Sequence, residues 1–501
     1  LVTGNTILQT SGARQRYATV GFIDDFGAAT YFPYGSSAGI PVRTGWNSHV
    51  ILDDVNGKAY LGIYDFLAPD AAIRDYLWEV DLMTDPTTAT QLGSSATALQ
   101  AGWARFALDG NGNFWELADN STVTNFLIAL STDGGSTFTV VDSIGGSDAG
   151  FFGTSDSNDP LVMAAGNKIS IFSDVIKSGS LAELGLGTQG TTNPDSADGV
   201  YHYYSNDGGN SWTGEWISRD GQPVISNRPN YEQTFSSFAF GSFDVDNTGV
   251  THLVKPGVNS FTVVGADTIN AVPIVYWNDN NKTWISLERP AVETYPYDFN
   301  NLSPGNFLGA SLPVVKADAS GNVVVAMWNL PQFSGEPGNS PINIYSAAGQ
   351  ADKYFYDVVY AYSTNGGASW SAPEIATSVP NECNYWVDIA AVEVTGGSVN
   401  VHYTYFYDDI PGAGQLAENS FGVNGTWRYN IVSFPYTPVA TADVTFQVDM
   451  GVQASKGRFT VGDAVNIAGN FNGWNTTADV LTDVDGDTVY TITKTLSVGD
   501  T

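Results

Sequence analysis

Carboxylates are the most abundant reactive groups in this chain: Asp and Glu number 52, against 19 Lys and Arg. Cleavage of a glycosidic bond needs two carboxyls roughly 5–10 Å apart, one to donate a proton and one to act as base or nucleophile. Glu232, Asp298, Glu336 and Asp408 fall in stretches that read as loops, so they are acids available to meet at a ligand. With 52 acids in the chain some pairs converge by chance, and this set alone does not pick out an enzyme. The string "DVDGD" places Asp483, Asp485 and Asp487 at alternate positions. Such hard oxygen ligands suit Ca2+; the same string is also an ordinary Asp/Gly hairpin turn. The closing Glu of a twelve-residue calcium loop is missing. The four histidines, His49, His202, His252 and His402, are isolated and lack zinc-ligand spacing. Cys383 is the single cysteine, so no intrachain disulfide forms.

The elements that hold these groups are strands. At 501 residues the chain is long enough for two to four domains. It is 43% hydrophobic and rich in aromatics (13 Trp, 25 Tyr, 26 Phe), with 54 Gly. Many short strands, Gly-rich turns and aromatic anchors read as a sandwich, barrel or propeller. A net charge of −33 with no basic cluster excludes a nucleic-acid partner. Only 14% of residues are charged, so the surface is largely Asn, Ser, Thr and Gly, as on a secreted protein. No apolar run approaches the roughly 18 residues of a transmembrane helix. The start at Leu1 fits a signal peptide already removed. The expected location is extracellular or the cell surface.

Internal repeats decide the architecture. A nine-residue turn recurs as "STDGGSTFT" (131–139), "SNDGGNSWT" (205–213) and "STNGGASWS" (363–371), with a degenerate copy "WNDNNKTWI" (277–285). In each, Asp133, Asp207, Asn365 or Asp279 is placed to cap backbone donors. Paired glycines in the three full copies take positive φ. Phe138, Trp212, Trp370 or Trp284 then returns to the core. Six further hairpins, 49–65, 104–119, 160–174, 240–254, 312–328 and 386–406, each set two apolar strands around a Gly/Asn/Asp turn. Six inner hairpins imply six blades.

The nine-residue turn resembles the Asp box of sialidase-like β-propellers. That resemblance implies a staple between the third and fourth strands of a blade, on the face away from ligand. The capping positions run from 133 to 207, 279 and 365, spacings of 74, 72 and 86 residues. A minimal blade takes roughly 40–50, so the excess is loop. Turns alternate between the two ends of an up-and-down blade. The inner-hairpin turns and nine-residue turns therefore share one end. The long segments 175–199, 218–235, 255–272, 288–308, 329–356 and 408–425 share the other, where a rigid scaffold carries function. Blade six shows only a third strand, 426–434, and residues 16–23 are expected to supply the missing one. The propeller is expected over 1–435.

A linker at 436–443 leads to a second module at 444–501. Its "NIAGNFNGWN" (466–475), a turn, a strand and "LSVGD" (496–500) resemble the glycogen- and starch-binding family of immunoglobulin-like sandwiches. The resemblance implies a glycan surface at Trp474 and Asn475, since flat aromatic faces stack on the apolar faces of sugar rings. The other reading of Trp474 is a core or turn anchor. The family continues past "LSVGD", so the sandwich is expected to be incomplete. Its style is similar to modules near the ends of secreted Bacteroidota-type proteins.

Sialidases also use an arginine triad, a Tyr/Glu nucleophile pair, an Asp acid/base and a Phe/Tyr-Arg-Ile/Val-Pro motif. "IPVR" (40–43) has the wrong order. Arg43, Arg105 and Arg228 are the arginines able to approach the channel, and Tyr231 with Glu232 stand where a nucleophile pair would be sought. The leading reading is a non-catalytic, secreted or cell-surface propeller for glycan or partner recognition or for assembly. The alternatives are a sialidase-like glycoside hydrolase or lyase acting on extracellular polysaccharide, and a structural subunit of an extracellular filament or homo-oligomer. Fold alone does not choose among them.

Overall fold

The computed structural model describes the backbone of residues 2–10, 13–23 and 29–34. Beyond these it describes 49–53, 55–65, 74–94, 105–119, 126–144, 161–175, 199–219, 233–234, 241–256, 258–259, 262–264, 267–270, 274–287, 295–296, 311–332, 344–345, 353–377, 379, 382–408, 426–437, 441–472 and 474–497. The chain falls into two compact units, Leu1–Val394 with Asn400–Ser433, and Thr395–Val399 with Phe434–Thr501. The first is a six-bladed β-propeller.

Five blades have four antiparallel strands, called a to d in chain order. Blade 1 is His49–Asp53, Lys58–Asp65, Arg74–Asp81 and Asp85–Ser94. Blade 2 is Arg105–Leu108, Phe114–Asp119, Phe126–Ser131 and Thr139–Ile144. Blade 3 is Leu161–Ala165, Lys168–Val175, Gly199–Ser205 and Thr213–Arg219. Blade 4 is Ser242–Val245, Thr251–Pro256, Ile274–Asn278 and Ile285–Ser286. Blade 5 is Ser311–Ala317, Val324–Pro331, Tyr356–Ser363 and Glu374–Ile375. Blade 6 has three strands, Cys383–Thr395, Ser398–Asp408 and Thr426–Pro435. All six hairpins expected from sequence are the a–b pairs.

The period of a strand explains the packing. Successive side chains point to opposite faces, so one strand feeds two cores. In strand b of blade 2, Phe114 joins Tyr60, Leu77 and Phe138 toward blade 1, while Trp115 and Leu117 join Val162, Ile169 and Tyr201 toward blade 3. Phe172, Leu253, Trp277 and Trp284 fill the layer between blades 3 and 4. Val254, Tyr276, Val324 and Trp328 fill the next. Strands buried on both faces read as apolar runs rather than alternation, as in Ile274–Asn278, buried throughout.

The tight turns interlock at one end. Four of the six inner turns, those of blades 1, 2, 4 and 5, carry an aspartate (Asp53, Asp109, Asp246 and Asp318) that folds back on the chain. Asp109 Oδ1 accepts from the backbone N–H of Asn111 (2.8 Å) and Asn113 (3.0 Å). Asp246 does the same for Thr248 and Val250, and Asp318 for Ser320 and Val323. The turns then join their neighbours: Gly110 N–H donates to Gly166 O in the next blade, and within blades 3 and 5 Gly208 donates to Asn167 O and Gly366 to Asn322 O, all at 2.9 Å. By the same antiparallel connectivity, every b–c and d–a connection lies at the opposite end.

The expected closure differs from the pairing found. Residues 16–23 lie in Ala13–Ile23, which pairs with Val2–Thr10 on one side and Ala29–Tyr34 on the other, forming a sheet of its own. Those two edges occupy the strand that was expected to extend blade 6.

In the second unit Thr441–Asp449 pairs with Val489–Ser497, and Val465–Ile467 with Asp479–Leu481. Among its described residues no helix is long and apolar enough to cross a membrane, and none is in the propeller either.

Candidate functional site

The three full nine-residue turns share one construction. Asp133 Oδ1 accepts from Ser136 N–H (3.1 Å), Thr137 N–H (2.9 Å) and Ser131 Oγ–H (2.8 Å), while Oδ2 accepts from Thr137 Oγ1–H (2.6 Å). These bonds, led by that of the Thr137 hydroxyl, hold the Asp133 carboxyl down at about 2. Asp207 is bound in the same way by Ser211 and Ser205 and is also lowered to about 2. Asn365 accepts from Ser369 N–H and returns a bond through its own amide. The serine two residues earlier accepts from the second glycine: Gly135 to Ser131, Gly209 to Ser205, Gly367 to Ser363. These carboxylates are fully used by the turn and stand at the end away from the long segments.

The fourth copy is built differently, and the capping role expected of Asp279 is a misassignment. Asn278 Oδ1 caps this turn, accepting from Asn281 N–H at 2.7 Å. Asp279 instead accepts from Thr251 N–H (3.0 Å) and pairs with Lys168 of blade 3. Trp277 stands where the other copies have serine, so no hydroxyl is available to organise the glycine-type turn.

A polar cluster lies at the opposite end, between blades 5 and 6, where strand b ends, strand c starts, strand d ends and the next strand a starts. Gln332 follows strand b of blade 5, Asp357 opens strand c, Thr377 follows strand d, and Glu382 and Asn384 flank the start of blade 6. Gln332 Nε2 lies 3.1 Å from each of Asp357 Oδ1, Val379 O and Glu382 O. Thr377 Oγ1 donates to Asp357 Oδ1 at 3.4 Å and accepts from Val358 N–H at 2.8 Å. Asp357 is only 8% exposed. Burial pushes its carboxyl up to about 7, against the opposing donation of Gln332, Thr377 and Asn384. Beside it Glu382 Oε2 takes a 3.0 Å ion pair from Arg428 Nη1, and the Arg428 guanidinium lies 3.5 Å from the Tyr407 ring centroid. The side chains of Glu382 and Arg428 keep 22% and 39% of their exposure, so this group is partly open.

Sequence reasoning did not single out Asp357, Glu382 or Arg428; they are 20 to 50 residues from their partners, and no motif ties them together. Arg43, Arg228, Tyr231, Glu232, Asp298 and Glu336 lie outside the described residues, as does the side chain of Asp408. Arg105 begins strand a of blade 2. Two of the histidines are core groups. His202 is fully buried between the rings of Phe172 (4.4 Å) and Tyr204 (4.6 Å), and burial lowers its pKa. His252 spans Tyr276 Oη (2.7 Å) and Asp246 Oδ2 (3.1 Å).

In the second unit Trp474 is 68% exposed, which removes the core-anchor reading. It sits at φ 60°, a left-handed conformation uncommon for tryptophan, on a pinned loop. Asn472 Nδ2 donates to Ile467 O, Asn475 O and Asp479 Oδ2, and Asp479 is held in turn by Lys494. Asn475 is spent on the loop itself, its Oδ1 accepting from Thr477 N–H and Oγ1–H at 2.9 Å. The ligand oxygens of Asp483, Asp485 and Asp487 lie within 4.8 Å of one another. Two of these carboxylates act as turn caps: Asp483 for Gly486 and Thr488, Asp487 for Val489.

No protein-family model matches the chain, and no curated protein sequence matches it. Among solved structures it is similar to the α-L-arabinofuranosidase Arb93A from Fusarium graminearum, at 10% identity and TM-score 0.41, over 77% of this chain and 92% of that one. It is similar to the polysaccharide lyase Uly1 at 10% identity and TM-score 0.43, over 86% and 87%. The Hadza microbial sialidase Hz136 matches at 13% identity and TM-score 0.30, over 66% and 70%. Likeness at this level carries no argument, and the chemistry is argued from the residues.

Proposed function

We propose that the protein acts on an extracellular polysaccharide at the loop-bearing end of its propeller, as a glycoside hydrolase or lyase. The observation that supports this most directly is the Glu382–Arg428–Tyr407 group. It is a partly open carboxylate, cation and aromatic ring standing at the roots of the long segments. In this reading Glu382 is one reacting carboxylate and Tyr407 offers a face to a sugar ring. A second acid comes from the neighbouring segments, where Glu232, Asp298, Glu336 and Asp408 are the candidates, with Arg43, Arg228 and Tyr231 as substrate contacts. The preference for a non-catalytic role rested on the missing arginine motif. That motif bears on sialosides alone, and a two-carboxylate site does without it.

The test is an assay of the full chain on arabinan, ulvan and glycogen, following reducing ends and the ultraviolet absorbance of unsaturated products. Glu382→Gln should lower kcat by on the order of 100-fold or more, as loss of an acid–base group does. Undiminished turnover in that variant would remove Glu382 from the reaction.

The exposure of Trp474 favours a second, compatible reading in which the C-terminal unit holds glycan. Trp474→Ala should abolish retardation of the protein in glycogen-containing gels. Equal retardation of both proteins would discard this reading.

A further inference from the structure

The seam between blades 5 and 6 contains more hydrogen-bonding capacity than it satisfies. Asn384 is 1% exposed and Asn329 is fully buried, yet neither side-chain oxygen has a hydrogen-bond partner among the described residues. The two residues are linked, Asn329 Nδ2 donating to Asn384 O at 2.7 Å. Asn384 Nδ2 makes a long 3.5 Å approach to Tyr356 O and is turned toward the Asp357 carboxyl as a donor. A buried amide oxygen without a donor costs on the order of 1–3 kcal/mol. A group able to supply a proton, the Asp357 carboxyl, lies within hydrogen-bonding reach of the same amide. The two ends of an amide have nearly the same size, so turning Asn384 over brings its oxygen to face that carboxyl.

We propose that Asp357 keeps its proton in the folded protein under mildly acidic conditions, donating it to Asn384 Oδ1 and so latching blade 5 to blade 6 at the loop-bearing end. The surroundings agree. Of the charged and titratable groups around it, Glu382 is negative and opposes ionisation. Arg428, the cation paired with Glu382, is engaged by that carboxylate and by Tyr407. Tyr356 on the same strand, and Cys383 and Tyr385 from the facing strand, form an apolar and aromatic wall, with the two tyrosine rings 4.8 Å apart. Gln332 has two amide protons for three acceptors, so it cannot fully solvate a charge on Asp357 as well. When the acid ionises, the Asn384 oxygen loses its donor and a bare charge is left in the seam. The latch then opens as pH rises.

Asp357→Asn replaces the acid with a neutral group of the same shape. The excess of its unfolding midpoint over wild type should grow by roughly 3 °C between pH 5 and pH 8.5. A gap that stays constant with pH, or a variant less stable at both, overturns the proposal. Infrared difference spectra of the wild-type protein give an answer that does not depend on folding of the variant. The carbonyl stretch of a protonated carboxyl should be present at pH 6 and titrate away above pH 7. Its absence at pH 6 sinks the idea. Asn384→Leu should move that band to the position of a carboxyl without an acceptor, and an unmoved band would rule out Asn384 as the partner.

Discussion

The paired glycines of the nine-residue turn separate two physical effects that are usually confounded. Gly366 and Gly367 both have positive φ, 66° and 85°. A Cβ on Gly366 would find only Gly321 O, at 3.5 Å, an ordinary contact. A Cβ on Gly367 would come within 1.9 Å of Tyr276 Oη, on strand c of blade 4. That hydroxyl is the hub of a buried network, bonded to His252 Nδ1 at 2.7 Å and Asn278 Nδ2 at 2.8 Å. Gly366→Ala therefore incurs only the left-handed strain of an L-residue, about 1 kcal/mol. Gly367→Ala incurs the same strain and must displace the tyrosine. Overpacking adds about 1–3 kcal/mol, and disturbing the two buried bonds adds about 1–2 more. The expected loss is about 4 kcal/mol against about 1. Unfolding entropy of roughly 2.1 cal/mol/K per residue, over a unit of about 430 residues, converts these to midpoint drops of about 4 °C and 1 °C. Urea unfolding with tryptophan fluorescence, checked by calorimetry, measures both. Equal losses at the two positions would refute the argument that the second glycine exists to admit the neighbouring blade. Gly208 and Gly209 repeat the experiment with Trp115, whose ring is 2.2 Å from the Cβ that Gly209 lacks.

Two further outcomes follow from the same geometry. Asp207→Ala removes the acceptor of Ser211 N–H and of two hydroxyls; it should lower the unfolding midpoint while leaving polysaccharide turnover unchanged, and a folded variant that loses turnover would contradict the placement of this turn at the far end. On acidification, His202 is held neutral by burial, below its ordinary 6.5, so the unfolded chain takes up the proton first and stability declines as pH falls through 6.5. Glu215, lowered to about 2 chiefly by His202, whose Nδ1 stands 3.6 Å away, extends that decline from 4.5 downward. His202→Phe, which keeps the ring stack, should flatten the upper part of this profile in pH-dependent urea titrations; an unchanged slope would assign the decline to other groups.

The sequence carried the propeller well because its repeats are local. The turn at Asp133 closes within nine residues and the a–b hairpins within about twenty, so both survive as strings. A third string was also legible: Asp109, Asp246 and Asp318 each have a glycine three residues on, Gly112, Gly249 and Gly321, all at positive φ. That spacing is the inner-turn counterpart of the nine-residue motif. Asp279 misled because alignment to Asp133 matched the letter, whereas the hydroxyl that organises the turn had been replaced by Trp277. The Asp357 cluster was not legible, since it joins residues 332, 357, 377, 382, 384 and 428 from five chain segments. Its chemistry comes from burial, which no short pattern encodes. Trp474 was legible as an aromatic of interest; the exposure of its ring sets aside a core anchor, while the turn-anchor and glycan-contact readings both place the ring at the surface.

The second glycine of each full turn leans on the blade before it: Gly135 on Leu77, Gly209 on Trp115 and Gly367 on Tyr276. The three hooks run in a single rotational sense, blades 2, 3 and 5 each leaning on the blade before. These hooks are non-covalent and sit at the end opposite the long connections. The covalent path can therefore be rerouted without unhooking a blade. A circular permutant with new termini in any b–c or d–a connection keeps every turn attached to both the strands it closes and the side chain it rests on. Termini placed between the two glycines of a turn release the hook and leave Tyr276, Trp115 or Leu77 facing solvent.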